Sequence, residues 1–289
     1  METFTFSALG TKWSIGVDEE IFSDESKKAI LDRVALFESR FSRFRMDSEV
    51  NRFREASAGT YEISEQFALL LTRADMLRRL THGVYDPAVG GLLEHAGYDA
   101  TYRLEADQEV ETFQLPCWSL EGYSLTIDGP TVFDFGGIGK GFCIDLVSSL
   151  LEQQSHRYYL VEGGGDMYGT TKRDGSPYRV ALEWPGKPGI AFGIVTLSRQ
   201  AVAVSDSFRR RWQKWHHIID PHTRKPIEAI VGCAGLAPSA FGADCMTSAL
   251  FLAPPEQYSV ISDELDAQYV VFRSDGTVGV SSAWPGELF

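Results

Sequence analysis

Two segments of the chain carry apolar residues at the spacing of an amphipathic helix. The first is predicted to begin after Ser23, and its inward-facing positions are Ile30, Val34, Phe37, Phe41 and Phe44. The second is predicted to begin at Ser64 and to end before Gly83. In both segments a serine precedes acidic residues, which is typical of a helix N-terminus. Two further helices are predicted over residues 139–152 and 243–252.

The rest of the pattern predicts short strands separated by turn residues. Residues 3–17 form a strand pair broken at Gly10, and residues 267–273 and 276–280 form a terminal hairpin. Other strands are predicted at residues 124–127, 131–135, 158–161, 179–182, 193–197 and 201–204. No regular βαβ rhythm, repeat or low-complexity linker is present. The sequence therefore predicts an α+β fold with mixed, largely antiparallel sheets and packed helices, as one continuous unit or two intimately packed lobes.

Composition and charge exclude several classes of protein. The 289 residues are 44% hydrophobic and 23% charged, which excludes a largely disordered chain. Acidic residues (40) outnumber lysines and arginines (27), and the formal charge of −13 disfavours non-specific binding to nucleic acid or anionic membranes. No run of about 20 apolar residues predicts a membrane span. An anionic ligand would therefore need a local positive feature. The one strongly basic run, at residues 209–215, is interpreted as a solvated hairpin.

A glycine-rich segment, Asp134–Gly141, lies between a predicted strand and a predicted helix. Its glycines allow close approach of a ligand, and amide groups near a helix start can face phosphate oxygens. Lys140 adds a positive charge. The spacing fits neither the Walker A motif nor the dinucleotide-binding fingerprint. A phosphate-binding loop and a purely structural turn are both consistent with this segment. A shorter glycine run at residues 163–165 is explained more simply as a bulged strand end.

Two pairs of side chains could carry chemistry. Asp244 and Ser248 are four residues apart on a predicted helix, so both oxygens face one side and could contact a hard cation. Two oxygens do not complete a magnesium shell, and an aspartate near a helix start also has a structural explanation. His216 and His217 precede a strand-like segment, where only one of them can face a given site. General acid–base catalysis by that histidine is favoured over zinc binding; two partly exposed edge-strand histidines are the alternative.

Six segments, taken in order, resemble blocks of the FAD:protein FMN transferases, the ApbE family. They are Ser42–Val50, Gly83–Gly90, Asp134–Gly141, Val161–Asp166, His217–Pro221 and Ala243–Leu250. The first three resemble Ser-x-Tyr/Phe-Arg-x-x-Ser-Glu-Leu, Phe-Asp-Pro-Thr-Val-Gly and Asp-Leu-Gly-Gly/Ala-Ile-Ala-Lys-Gly. The last three resemble Asn-Ala-Gly-Gly-Asp, His-Ile-Ile-Asp-Pro and Ala-Asp-Ala-Leu-Ala-Thr-Ala-Leu. Each block is weak alone, but the ordered set is highly specific.

The resemblance implies a Mg²⁺-dependent enzyme with one T-fold-like, ApbE-type domain over residues 1–289. It implies cleavage of FAD, attachment of FMN through a phosphoester bond to a threonine or serine hydroxyl of a partner flavoprotein, and release of AMP. By position, Asp244, Ser248 and the carbonyl of Gly137 would hold the metal. His217 would be the general base, and Asp244 would also be catalytic.

The resemblance also implies a set of residues that contact FAD. Phe44 would stack on the ring system, and residues 86–90 would line the cleft through backbone groups. The full set is Phe44, Asp86, Ala88, Val89, Gly90, Asp134, Lys140 and Ile219. Ser248 stands where the family usually has threonine, and Phe44 where tyrosine is frequent.

Two other activities fit the same residues: an FAD pyrophosphatase that yields FMN and AMP, and a non-catalytic FAD-binding protein. The expected partners are FAD and an acceptor flavoprotein, and nucleic acid is not expected as one. As the chain stands, a cytoplasmic location is expected. A membrane-anchored or periplasmic form is expected instead if an upstream export signal has been removed.

Overall fold

The computed structural model describes residues 1–18 and 21–289. The α-helices in these ranges are α1 (Asp24–Phe41), α2 (Glu65–Leu80), α3 (Gly90–His95), α4 (Gly139–Gln153), α5 (Ala240–Leu252) and α6 (Tyr258–Glu264). Short 3₁₀ helices cover Val50–Phe53, Pro87–Val89, Gln108–Glu111 and Pro255–Gln257. The strands are β1 (Glu2–Ala8), β2 (Thr11–Val17), β3 (Gly59–Glu62), β4 (Trp118–Glu121), β5 (Ser124–Ile127), β6 (Tyr159–Gly163), β7 (Asp166–Gly169), β8 (Tyr178–Glu183), β9 (Ala191–Leu197), β10 (Gln200–Asp206), β11 (Arg211–Trp212), β12 (Trp215–His216), β13 (Ile219–Asp220), β14 (Lys225–Pro226), β15 (Ile230–Ala237), β16 (Gln268–Arg273), β17 (Val278–Val280) and β18 (Glu287–Leu288).

The largest sheet has eight strands in the order β1-β2-β6-β7-β10-β15-β16-β17. Every pair of neighbours in it is antiparallel. Two three-stranded sheets, β18-β9-β8 and β3-β5-β4, are antiparallel as well. The predicted α+β class with largely antiparallel sheets is confirmed.

Alternation along the strands divides the core into layers. In β10, Ala201 and Ala203 pack into the cluster formed with α1, α4 and α5, whereas Val202 belongs to the cluster shared with β8 and β9. Successive strand residues point to opposite faces, so helices cover one face of the large sheet and the small β18-β9-β8 sheet covers part of the other. This arrangement places the starts of α4 and α5 beside the turn between β6 and β7.

Side-chain caps fix where three helices begin. The hydroxyls of Ser23 and Ser64 accept hydrogen bonds from backbone N–H groups three residues ahead, at 3.1 and 3.2 Å, as the sequence pattern predicts. Helix α5 begins at Ala240, three residues before the predicted start, because Ser239 caps it through the amide of Gly242. The carboxylate of Asp145 also accepts from the amides of residues 240 and 241. This cap comes from another helix and is not visible in the local sequence.

Several strand assignments differ from the sequence prediction, because β3, β4, β7, β14, β15 and β18 were not predicted and one predicted strand is absent. Residues 131–135 do not form a strand, because their backbone donates to Phe53 and Pro87 in two separate 3₁₀ helices instead of pairing with one neighbour. Strand β15 was not predicted because Gly232 and Gly235 interrupt its apolar pattern. Both glycines allow close packing: a Cβ at residue 235 would lie 2.7 Å from the carbonyl oxygen of Ala243 in α5.

The basic run forms a hairpin of β11 and β12, as predicted, and only part of it is solvated: Arg209, Arg211, Gln213 and Lys214 are exposed. Trp212 and Trp215 are buried in a cluster with residues of α3, and Arg210 lines the cavity described below. In the part of the chain that the structure describes, no helix has the length and apolar character that crossing a bilayer requires.

Candidate active site

A cavity of about 560 Å³ brings together segments that are far apart in the chain. It lies between the loop after α1, the glycine-rich segment at the start of α4, helix α5 and the turn between β6 and β7. The sequence-predicted residues that line it are Phe44, Asp86, Val89, Asp134, Gly137, Lys140, His217, Ile219, Asp244 and Ser248. Ala88 and Gly90 do not line it. Ala88 is fully buried, and a Cβ on Gly90 would meet the carbonyl oxygen of Val132 at 2.5 Å.

A lysine and two buried carboxylates form the charged centre of the cavity. The Nζ atom of Lys140 lies 2.5 Å from Asp166 and 3.5 Å from Asp244. Burial opposes the charge of Lys140, but the two carboxylates outweigh it and raise its pKa. Burial and the nearby Asp166 raise the pKa of Asp244 to about 7, although Lys140 opposes this shift. Asp166 was not singled out from the sequence; its signal was its position directly after the run of three glycines.

Three oxygen donors next to this centre match the metal ligands that the resemblance implies. The hydroxyl of Ser248 donates to the carbonyl oxygen of Gly137 at 2.6 Å, and Asp244 lies one helical turn before Ser248 on α5. Burial and the nearby Asp166 both disfavour the charged carboxylate of Asp244, so a bound cation would stabilise it. A carboxylate, a hydroxyl and a carbonyl are hard ligands that fit Mg²⁺, which usually keeps several waters. Within residues 1–18 and 21–289, no cluster of three or more histidine, cysteine or acidic side chains is suited to a metal.

The glycines of the loop serve packing as well as ligand access. The amide of Gly136 donates to Asp134, and that of Gly141 donates to Asp244 at 2.9 Å. A Cβ on Gly141 would lie 2.3 Å from the carbonyl oxygen of Ala240, so this glycine allows α4 and α5 to touch. Because these two amides are already bonded within the protein, they do not form a phosphate cradle. The other glycine run, at residues 163–165, supplies the tight turn between β6 and β7.

Arg43 holds one wall of the cavity and was not predicted from the sequence. Its guanidinium is buried and donates to the carboxylate of Asp134, to Glu94 at 3.3 Å and to the carbonyl oxygen of Tyr98 at 2.7 Å. Burial would raise the pKa of Asp134, but Arg43 holds it below its ordinary value. The carboxylate of Asp134 is therefore ionised, and it already accepts hydrogen bonds from other groups of the protein.

Phe44 stands in an aromatic cluster at the edge of the cavity. Its ring is stacked with Tyr102 at 5.9 Å between centroids and contacts Tyr98 edge-on at 5.5 Å. The guanidinium of Arg43 lies 4.1 Å from its centroid. The three aromatic rings line the same wall, so the cavity has a broad apolar surface on this side.

Asp86 lines the cavity, and its side chain is held by several partners. Its carboxylate accepts from the amide of Ala88 at 2.8 Å and from the indole of Trp118 at 2.9 Å, and pairs with Arg78 at 2.9 Å. Burial raises its pKa despite these partners. The Asp-Pro turn is therefore locked in place by a buried network.

The two histidines face different environments, as their adjacent positions predict. His216 lies in β12; its ring bonds to the carbonyl of Ile227 at 2.8 Å and accepts from the amide of Ile218 at 3.2 Å. His217 lines the cavity, and its Nδ1 atom is buried without a hydrogen-bond partner among the described residues. Burial, assisted by the positive charge of Arg210, lowers the pKa of His217 to about 3. This pKa lies far below the ordinary imidazole value of about 6.5, so His217 is uncharged at neutral pH.

The sequence profile of the ApbE family matches residues 9–271. The chain belongs to the ApbE family. Among its ApbE relatives, the FAD:protein FMN transferase of Haemophilus influenzae is 29% identical over 90% of this chain and 81% of its own length. That of Escherichia coli K12 is 26% identical over 92% and 82%, respectively.

Solved structures of the family share the same fold. The flavin transferase ApbE from Vibrio cholerae superposes with a TM-score of 0.85 at 26% identity, covering 98% of this chain and 97% of that one. The ApbE protein of Thermotoga maritima, at 23% identity, also has a TM-score of 0.85 and covers the same shares. The predicted ApbE-type fold is confirmed across nearly the whole chain.

Proposed function

We propose that this chain is a Mg²⁺-dependent FAD:protein FMN transferase. In this reaction an acceptor threonine or serine hydroxyl forms a bond to the phosphorus of the FMN half of FAD. The bond from that phosphorus to the bridging oxygen breaks, the hydroxyl proton passes to the protein, and AMP leaves. Family membership and the names of the relatives support the flavin substrate. We also propose one ApbE-like domain over residues 1–289, because the large sheet takes strands from both β1 and β17.

The observation that supports the proposal most strongly is the location, charge and hydrogen bonding of His217. Its imidazole lines the cavity, is uncharged at neutral pH because burial lowers its pKa, and has a ring nitrogen with no partner among the described residues. An acceptor hydroxyl is a weak nucleophile at neutral pH, and a neutral imidazole can take its proton. The negative charge of a bound pyrophosphate would favour the imidazolium and so raise the low pKa of His217 toward the working range.

Positive charge for a pyrophosphate comes from three sources. Lys140 and Arg210 line the cavity and place their charges close to His217. Mg²⁺, when held by Asp244, Ser248 and the carbonyl of Gly137, would neutralise further charge on the phosphates. The reaction also requires that the FAD substrate be held in the correct position. Lys140 is fixed by Asp166, and the aromatic wall around Phe44 offers an apolar surface for the flavin ring system.

Single-turnover kinetics of His217→Ala test this proposal. The variant should bind FAD with the affinity of the wild type, measured by flavin fluorescence, but should transfer FMN to a threonine-bearing acceptor flavoprotein about 10²–10⁴-fold more slowly. His222→Ala is the matched control, because His222 is exposed, lies five residues away and does not line the cavity. Its transfer rate should equal that of the wild type.

Equal transfer rates for His217→Ala and wild type would remove His217 from the reaction. Rapid release of FMN and AMP without any acceptor would instead indicate an FAD pyrophosphatase. If FAD binds and neither product forms under any condition, the chain is a flavin-binding protein without turnover.

A further inference from the structure

Two residues that line the cavity each have a buried side-chain atom without a hydrogen-bond partner within the part of the chain that the structure describes. One such atom is Nδ1 of His217, and the other is the hydroxyl oxygen of Tyr85. Tyr85 is only 6% exposed, so water in the bulk solvent does not satisfy this hydroxyl. Buried polar groups in folded proteins are almost always paired, and each exception needs an explanation. The reaction proposed above uses His217 but leaves the hydroxyl of Tyr85 without a role.

The backbone on both sides holds the Tyr85 ring in place. Its amide donates to the hydroxyl of Thr81 at 3.0 Å, and Thr81 is itself fully buried and donates to the carbonyl of Leu77 at 2.9 Å. The next residue, Asp86, is fixed by Trp118 and by its own turn. These bonds fix the backbone at Tyr85, and burial of its side chain leaves the ring little room to move.

The ring lies beside the proposed pyrophosphate site. A Cβ added to Gly137 would be 3.3 Å from the Cε2 atom of Tyr85 and 2.8 Å from the hydroxyl of Ser248. Tyr85 therefore contacts the same backbone segment whose carbonyl oxygen bonds to Ser248.

Tyr85 can act as a hydrogen-bond donor. The phenol of a tyrosine keeps its proton at neutral pH, and its hydroxyl donates to an acceptor within reach. A protonated phenol in an anion-binding cavity suits an acceptor that arrives with the ligand. A phosphate oxygen is such an acceptor, and hydrogen bonds to charged groups are the stronger kind.

We propose that Tyr85 is a ligand-binding residue whose hydroxyl donates a hydrogen bond to a phosphate oxygen of the dinucleotide pyrophosphate. This inference rests on the proposed function, because it requires FAD in this cavity. Tyr85 would help to distinguish ligands that carry phosphate from flavins that lack it.

Binding of FAD and of riboflavin by Tyr85→Phe tests the inference. The variant keeps every carbon atom of the ring and removes only the hydroxyl, and thermal denaturation checks that it folds. Its affinity for FAD should fall roughly tenfold or more, as expected for one lost hydrogen bond to a charged group. Its affinity for riboflavin, which has no phosphate, should equal that of the wild type.

Tyr178→Phe is the matched control. The hydroxyl of Tyr178 is also buried without a partner among the described residues, but its ring packs between β8 and the large sheet and does not line the cavity. This variant should bind both flavins like the wild type. An unchanged FAD affinity for Tyr85→Phe would overturn the inference, as would an equal loss for FAD and riboflavin. A wild-type protein that does not bind FAD would instead overturn the proposed function itself.

Discussion

Replacing Arg43 by methionine should destabilise the protein strongly. Arg43 has a side chain only 1% exposed and satisfies two carboxylates and a backbone carbonyl at once. Methionine fills much of the same volume but carries no charge and no N–H donors. The carboxylate of Asp134, itself only 13% exposed, would lose its one ion-pair partner among the described residues.

The expected loss in the free energy of unfolding depends on which carboxylates are left without a partner. Removing one member of a buried ion pair typically costs about 3–5 kcal/mol. Here we expect about 3 kcal/mol, because Glu94 keeps its ion pair with Arg54 at 2.6 Å and Asp134 keeps the amide of Gly136. For a chain of this size, that corresponds to a fall in melting temperature of roughly 6–12 °C.

The pH dependence gives a second, independent readout. The pKa of Asp134 is lowered in the folded protein, so its pairing stabilises the fold above the ordinary carboxyl pKa near 3.8. That stabilisation is lost as the pH falls through the lower pKa of the folded state. The stability difference between wild type and Arg43→Met should therefore shrink below pH 4.

Urea denaturation at pH 7, followed by tryptophan fluorescence, measures the effect. Arg45→Met is the matched control: Arg45 pairs with Asp47 at 3.0 Å, but these side chains are 46% and 72% exposed. Such exposed pairs contribute about 0–1 kcal/mol. Adding Asp134→Asn to Arg43→Met should recover part of the loss, because no unpaired carboxylate is left. If Arg43→Met and Arg45→Met unfold at the same urea concentration, the buried pair does not contribute the stability assigned to it.

Two further predictions concern the metal-binding and packing roles of α5. Because burial raises the pKa of Asp244 to about 7 and only its carboxylate form binds a cation, Mg²⁺ affinity measured by titration should rise from pH 6 to pH 8. Asp244→Asn should abolish both that rise and Mg²⁺-dependent turnover, whereas a pH-independent wild-type affinity would speak against this ligand. Gly141→Ala should lower the free energy of unfolding by about 1–3 kcal/mol, since its Cβ would collide with Ala240. Gly129→Ala, which meets nothing within 4 Å, should be nearly neutral, and equal costs would contradict the packing argument.

Local signals were sufficient for much of the secondary structure. Helices α1 and α2 follow from apolar spacing and from serine caps that bond to the third residue ahead. The hairpin of β1 and β2 follows from alternation on both sides of Gly10. These features depend on neighbours a few residues away, so the sequence shows them directly. The sequence does not show strand β15 directly, because its glycines are explained by close contacts with the loop between β8 and β9 and with α5.

The residues of the candidate site also fall into those that the sequence indicated and those that only the structure revealed. Family resemblance named His217, Lys140, Asp244 and Ser248 from short ordered blocks, and the fold places all of them at one cavity. The sequence did not indicate Arg43, whose importance depends on carboxylates from α3 and from the glycine-rich segment. An arginine next to a phenylalanine has no special meaning until those carboxylates are placed beside it.

The sequence alone determined the helix and strand periodicity, the family and the chemical types at the site. The tertiary structure alone decided which of those groups are charged, which are hydrogen-bonded within the protein and which are available to bind a ligand. The low pKa of His217, the raised pKa of Asp244 and the unpartnered hydroxyl of Tyr85 all arise from burial and from groups distant in the chain. The reason is physical: desolvation and charge–charge interaction depend on distances in space, which only the folded chain establishes.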